Sequence, residues 1–162
     1  MKIASDKIPG EARKALIVKI LSYSLSILFI YAAMVKAIDY KVFVADIAKS
    51  PLLTKVNNTV LAPLVLGVEF LTAVLLQFKA TIKPGFYLSS FLMLTFTLYL
   101  TTLYFFYTNI PCSCGGILGM MPYPVHIAFN LLFTILSFTG AFLQTRSKGD
   151  LLIGKTAHRS TI

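Results

Sequence analysis

Residues 84–145 form 62 consecutive positions without Asp, Glu, Lys or Arg, and they read PGFYLSSFLMLTFTLYLTTLYFFYTNIPCSCGGILGMMPYPVHIAFNLLFTILSFTGAFLQT. A helix needs about 20 apolar residues to cross the hydrocarbon core of a bilayer, so this stretch can hold two spans and a connection. Two further apolar stretches precede it in the chain. The sequence therefore predicts four membrane helices, over about residues 15–38, 58–78, 85–107 and 122–143.

The composition of the whole chain supports this interpretation. Of the 162 residues 57% are hydrophobic and only 13% are charged, with a mean hydropathy of +0.79. Soluble domains carry about 45–50% apolar and about 25% charged residues, so a soluble enzyme and a disordered chain are both excluded. We expect an all-α membrane protein with one integral membrane domain, residues 1–162, whose segment 144–162 forms a polar basic tail. A cleaved signal peptide is the alternative for the first stretch, but the apolar run is long for one.

The positive charges predict how the bundle lies in the membrane. The net charge is +9, but Lys and Arg cluster at the ends of apolar runs and are not interleaved with aromatics, which disfavours nucleic acid as a partner. Of the 15 lysine and arginine residues, eleven fall on one side of the predicted bundle: in the N-terminal segment and the first turns of helix one, in the connection between helices two and three, and in the tail. The other four fall on the opposite side. The positive-inside rule then places both termini in the cytoplasm and the loops 40–57 and 108–121 on the extracytoplasmic side, in a bacterial inner membrane. The basic tail is expected to contact anionic lipid.

The first extracytoplasmic loop is too long for a simple turn. It reads VFVADIAKSPLLTKVNN over 42–58 and has apolar residues at Val42, Phe43, Ile47 and Leu52. Such a segment can form a short amphipathic helix on the membrane surface or an irregular loop, and the sequence leaves both open.

Both cysteines, Cys112 and Cys114, lie in the second extracytoplasmic loop. Disulfides persist outside the cytoplasm, so their position agrees with the predicted orientation. In an extended chain the Cα atoms of residues two apart are about 7 Å apart, beyond the usual bridging distance of about 5.5–6 Å. A bridge therefore needs a bend, which Pro111 and the following pair of glycines permit, and a strained bridge is readily reduced. The pair is a candidate for thiol–disulfide exchange; free thiols or an inert staple are the alternatives.

The catalytic candidates are Cys112, Cys114 and His126. A thiolate is stabilised by nearby positive charge, and the cations on this side are Lys36, Lys41, Lys49 and Lys55. The predicted fourth helix carries a polar stripe, which we expect to face the bundle interior, at His126, Asn130, Thr134 and Ser137. His126 can accept a proton from a thiol, ligate a metal or make a helix-packing hydrogen bond.

Glu69 is the ionisable residue that lies deepest in the predicted membrane. It follows Asn58 by 11 residues, about 16 Å along a helix, and therefore needs a partner or a proton. Because helical side chains tilt toward the N-terminus, Lys36 on the first helix and Glu69 on the second approach each other. We predict a Lys36–Glu69 pair, with Asp39 as a competing partner for Lys36 and Asn130 as a neutral alternative for Glu69. The pair can lock the bundle or supply a protonatable carboxylate.

A soft-metal site is the alternative use of the cysteine segment. Thiolate and thioether groups favour Cu(I), and the candidate ligands are Cys112, Cys114, Met120, Met121 and His126. Their spacing matches no strict metal signature, and no cofactor is predicted.

The chain resembles the MauE/DoxX-like group of small four-helix membrane proteins, which is named for methylamine utilisation. The resemblance covers roughly residues 16–143 and rests on Val35-Lys36-Ala37-Ile38-Asp39, Leu66-Gly67-Val68-Glu69-Phe70, Pro111-Cys-Ser-Cys-Gly-Gly, His126 and Phe129-Asn130-Leu131. It implies a redox-associated membrane protein that acts with an extracytoplasmic thioredoxin-like protein on the disulfides of an exported client.

The resemblance favours a thiol–disulfide oxidoreductase that acts with a partner protein. Four-helix enzymes that reduce quinone usually carry a Cys-x-x-Cys pair and a second cysteine pair, and this chain has neither, which argues against quinone as its oxidant. A non-catalytic subunit that packs against other membrane subunits is the remaining alternative.

Overall fold

Four long apolar helices and one short helix make up the computed structural model, which describes residues 10–53, 55–107 and 122–159, with side chains up to residue 145. The helices are α1 Gly10–Ile38, α2 Tyr40–Lys49, α3 Asn58–Gln77, α4 Ile82–Phe106 and α5 Tyr123–Arg159. Helices α1, α3 and α4 and the Tyr123–Thr145 part of α5 are long and apolar enough to cross a membrane. This confirms the predicted all-α class and the four membrane helices, and the described residues contain no strand.

The long helices expose large apolar side chains outward and bury small polar ones. Phe91, Phe105 and Phe106 are exposed, whereas Ser26 and Ser89 are completely buried. This is the distribution expected in lipid, where the outer surface faces acyl chains and small residues let helices approach closely. The bundle surface is therefore suited to a bilayer.

Close packing joins the helices in pairs, α1 with α3 and α4 with α5. Gly140 of α5 lies against the ring of Phe86, and a Cβ atom at that position would overlap the ring. Gly85 of α4 similarly approaches the backbone of Leu75 and Leu76, where a Cβ atom would meet main-chain atoms at 3.1 Å. Glycine at these two positions therefore sets how closely α4 can approach its neighbours.

Hydrogen bonds between helices satisfy some of the buried hydroxyl groups. The Ser89 and Ser137 hydroxyls lie 2.7 Å apart between α4 and α5, and the Ser26 hydroxyl donates to the Ala73 carbonyl oxygen at 3.0 Å between α1 and α3. Since a polar group in lipid is costly without a partner, these bonds also fix how the helices face each other.

The segment after α1 forms a short helix, α2, so the helical alternative for the first loop is the one observed. Its apolar side chains Phe43 and Ile47, four residues apart on one face, are buried against α3 beside Ala62. The Tyr99 hydroxyl on α4 donates to the Ser50 hydroxyl directly after α2, at 2.8 Å. These contacts hold helix α2 against one end of the bundle.

Two of the helices extend beyond the predicted membrane spans. Helix α1 begins at Gly10 rather than near residue 15, because residues 11–14 (Glu, Ala, Arg, Lys) are good helix formers. Helix α5 continues to Arg159 rather than ending near Leu143, since the basic segment after the span contains no proline to stop it.

Candidate functional site

Of the candidate residues that the structure describes, Lys36 and His126 lie near the end of the bundle where α1 ends, α3 begins, α4 ends and α5 begins, and Glu69 lies deeper, near the middle of α3; we call this end of the bundle the loop end. The chain between α4 and α5 starts and finishes there. Cys112, Cys114, Met120 and Met121 belong to this connection and lie outside the described residues. The predicted disulfide exchange and the Cu(I) alternative therefore remain predictions.

Lys36 and Glu69 form a buried ion pair between α1 and α3. The Lys36 Nζ atom donates to Glu69 Oε1, and both side chains are almost completely buried. This is the pairing expected from the opposite tilts of side chains on antiparallel helices. Each charge compensates the other in surroundings where a lone charge would be costly.

Aromatic rings complete the surroundings of the Lys36 ammonium group. Its Nζ atom lies 5.8 Å from the ring centroid of Phe43 on α2 and 5.3 Å from that of Phe96 on α4. Cations are attracted to ring faces at such distances. Only 7% of Lys36 is exposed, so this lysine is committed to the interior and is not an open cation for the cysteine segment.

The competing partners proposed from the sequence lie nearby but do not take the ion pair. Asp39 is exposed and directly precedes α2, where its side chain makes no capping hydrogen bond. Asn130 is buried on α5 and faces the same interior space as Glu69. The carboxylate of Glu69 thus has a charged partner on one oxygen and a neutral amide in its surroundings.

The polar stripe of α5 faces the bundle interior, as the sequence predicted. Asn130, Thr134 and Ser137 are buried, and His126 is only 1% exposed. The Thr134 hydroxyl lies 3.3 Å from that of Thr97 on α4. Thr134 and Ser137 therefore pack α5 against α4. His126 and Asn130 border an internal space.

That space is a partly open cavity of about 220 Å³ at the loop end. The polar side chains that line it include those of Lys36, Glu69, His126 and Asn130. Most of the remaining wall is apolar or aromatic and comes from the four helices α1 to α4; it includes Leu28, Phe29, Phe43, Ile47, Leu61, Val65, Met93, Phe96, Tyr99 and Leu100.

Two side chains that line this cavity each have one buried polar atom without a hydrogen-bond partner among the described residues. These atoms are Oε2 of Glu69 and Nδ1 of His126. Buried polar atoms are nearly always paired with protein or water, so an unpaired one calls for an explanation. Both atoms belong to side chains that line the cavity, a carboxylate whose oxygen accepts hydrogen bonds and a histidine whose ring nitrogen accepts or donates one.

The described residues do not form a complete metal site. They contain no group of three or more His, Cys, Asp and Glu side chains that could hold a metal ion. The Cu(I) alternative would need ligands from the cysteine connection in addition to His126.

The chain matches a known family over a range that includes most or all of each candidate membrane span. The family model described as methylamine utilisation protein MauE matches residues 14–143. The chain belongs to the MauE family. No curated protein and no solved structure gave a match. The matched range includes Lys36, Glu69, both cysteines and His126, so the site described above lies entirely within the part shared with MauE proteins.

Sequence reasoning missed the aromatic wall of this MauE site. Phe43 lies in the predicted first loop, and Phe96 and Tyr99 lie in the predicted third span. The sequence does not show which apolar residues of a membrane helix face inward. A signal was present only for α2, where Phe43 and Ile47 stand four residues apart and so share one helical face.

Proposed function

We propose that this MauE family member takes part in extracytoplasmic thiol–disulfide exchange through Cys112 and Cys114, in a bacterial inner membrane. One observation supports the proposal above all. The segment that carries both cysteines is attached at both ends to the loop end of the bundle, where a buried histidine presents an unpaired ring nitrogen.

The proposed exchange moves two electrons from a client dithiol to the Cys112–Cys114 disulfide. A client thiolate attacks one of the two sulfurs, which forms a mixed disulfide and releases the other sulfur as a thiolate. The second client thiolate then attacks the mixed disulfide, which leaves a client disulfide and a Cys112–Cys114 dithiol. A thioredoxin-like partner restores the bridge by giving up its own disulfide in the same two steps.

His126 is the proposed proton acceptor. It lies in the first turn of α5, where its amide donates to the Pro122 carbonyl oxygen at 3.1 Å. Eight residue steps separate Cys114 from Pro122, and a chain of that length can extend over about 26–29 Å. The connection is therefore long enough to bring a cysteine thiol to the histidine. A neutral imidazole can take the proton that must leave a thiol before it becomes a nucleophile.

The redox state of the pair in native membranes tests the proposal. Membranes are treated with a mass-tagged maleimide with and without prior reduction, and the tags are counted by mass. We expect the Cys112→Ser and Cys114→Ser variants to differ, because only the sulfur that a client attacks can hold a mixed disulfide, which reductant then releases. Ser113→Ala is the matched control and should behave as the native chain.

Two results would overturn the proposal. One is a cysteine pair that stays in a single redox state in membranes of cells that are actively exporting proteins. The other is a Cys112→Ser/Cys114→Ser chain that still supports client maturation, which would instead indicate a non-catalytic subunit.

A further inference from the structure

We infer that the loop-end cavity is a binding site for a neutral molecule with a single aromatic ring and a hydroxyl group, that is, a phenol or hydroquinone. The volume is the first reason. An engineered protein cavity of about 150 Å³ binds benzene, and a single water needs only about 10–15 Å³. The cavity of about 220 Å³ therefore has room for one substituted ring.

The charges of the lining select a neutral ligand. Lys36 and Glu69 compensate each other through their direct contact. An ionic ligand would add a charge without a partner to a largely apolar space, which is strongly unfavourable. A neutral molecule leaves the ion pair intact.

The unpaired atoms select a ligand with a hydroxyl group. Oε2 of Glu69 is buried, and an ionised carboxylate oxygen can only accept a hydrogen bond, so the ligand must supply a donor. His126, whose Nδ1 has no partner among the described residues, and Asn130 line the same cavity and are the side chains available to a second polar atom of the ligand. One hydroxyl group satisfies the carboxylate oxygen, and a second ring oxygen finds partners on α5.

The walls select an aromatic ring. Phe29, Phe43, Phe96 and Tyr99 line the cavity, and aromatic side chains favour stacked or edge-to-face contact with another ring. Water alone is a poor occupant, since each internal water needs two to four polar partners and most of this wall offers none. Ligand sites typically combine such an apolar lining with a few placed polar groups.

This inference goes beyond the proposed thiol exchange and does not depend on it. The cavity is formed by described residues of α1 to α5, and neither cysteine contributes to the part described. The ligand site and the exchange reaction can therefore fail separately in experiments.

The test compares two ligands of nearly the same shape on the purified full-length chain in lipid nanodiscs. The probes are 4-methylphenol and 1,4-dimethylbenzene, which differ only by a hydroxyl group in place of a methyl group. Affinity is measured from the shift of thermal unfolding at matched free concentrations. A hydrogen bond to a charged group contributes about 1.5–3 kcal/mol, so we expect the phenol to bind at least about tenfold more tightly.

A matched pair of variants places the binding in the cavity. Ala32 lines the cavity on α1, and Ala32→Phe should fill it and abolish the phenol-induced shift. Ala37 is exposed on the same helix, and Ala37→Phe should bind the phenol as the native chain does. The Cys112→Ser/Cys114→Ser chain should also bind normally, which separates this result from the fate of the exchange reaction.

A third probe distinguishes the source of the ligand. A hydroquinone with a ten-carbon chain that displaces 4-methylphenol indicates a ligand supplied by the membrane, and failure to displace it indicates a small water-borne phenol. Both results support the hydroxylated ring. Equal binding of 1,4-dimethylbenzene and 4-methylphenol, or full phenol binding by Ala32→Phe, would overturn the inference; the first comparison needs no variant and so does not depend on folding.

Discussion

The Lys36–Glu69 pair makes a quantitative prediction about stability. Removing one partner of a buried ion pair leaves the other charge without compensation, which destabilises proteins by about 3–5 kcal/mol. Both side chains are buried here and the pair joins α1 to α3, so Lys36→Met should lower the free energy of unfolding by about that amount. The lost contacts of the ammonium group with the Phe43 and Phe96 rings act in the same direction.

The double variant separates charge from packing. Lys36→Met combined with Glu69→Leu removes both charges and restores an apolar contact, so its stability should return to within about 1–2 kcal/mol of the native chain. Lys19→Met is the matched control, because Lys19 is an exposed lysine on the same helix whose loss should cost no more than about 0.5 kcal/mol.

The assay is unfolding in mixed micelles by increasing mole fraction of a denaturing detergent, followed by circular dichroism. The reasoning is refuted if Lys36→Met is no less stable than Lys19→Met. It is equally refuted if the double variant is as unstable as the sum of its two single changes, since the two charges would then not be coupled.

Three further predictions concern packing and orientation. Gly140→Ala should destabilise the bundle by about 1–3 kcal/mol, because its Cβ atom would overlap the Phe86 ring, and adding Phe86→Leu should recover part of the loss in the same unfolding assay. Tyr99→Phe removes the hydrogen bond to Ser50, a loss of about 1 kcal/mol, and should speed amide hydrogen exchange in α2 but not in α4; unchanged exchange would contradict the role given to this bond. A membrane-impermeant maleimide added to intact spheroplasts should label reduced Cys112, and labelling only after lysis would show that the predicted orientation is inverted.

The sequence was sufficient to predict the parts of the fold that depend on one-dimensional patterns. Apolar stretches long enough to cross the bilayer predicted the four spans. The spacing of polar residues from His126 to Ser137 predicted the inward face of α5. The Lys36–Glu69 contact also followed from the sequence, because only a small number of groups can satisfy a carboxylate at that depth.

The sequence could not reveal the cavity. Its walls come from five helices, and the positions of Phe29, Phe43 and Phe96 around one space depend on how the helices rotate against each other. In lipid both faces of a helix are apolar, so periodicity carries little information about rotation. The amphipathic pattern of α2 was present in the sequence. Whether this segment forms a helix on the bundle or an irregular loop depends on its contacts with α3 and with Tyr99, which the sequence does not show.

The ion pair between α1 and α3 also bears on the biogenesis of the chain. A carboxylate at the centre of a nascent helix makes its transfer into the bilayer less favourable by about 2.5–3.5 kcal/mol on insertion scales. Lys36 is synthesised before Glu69, so the first helix can remain at the translocon until the second helix emerges. The two helices can then insert into the bilayer together as a helical hairpin. In ribosome-bound chains we therefore expect α1 to move from the translocon into the lipid later than its own hydropathy predicts.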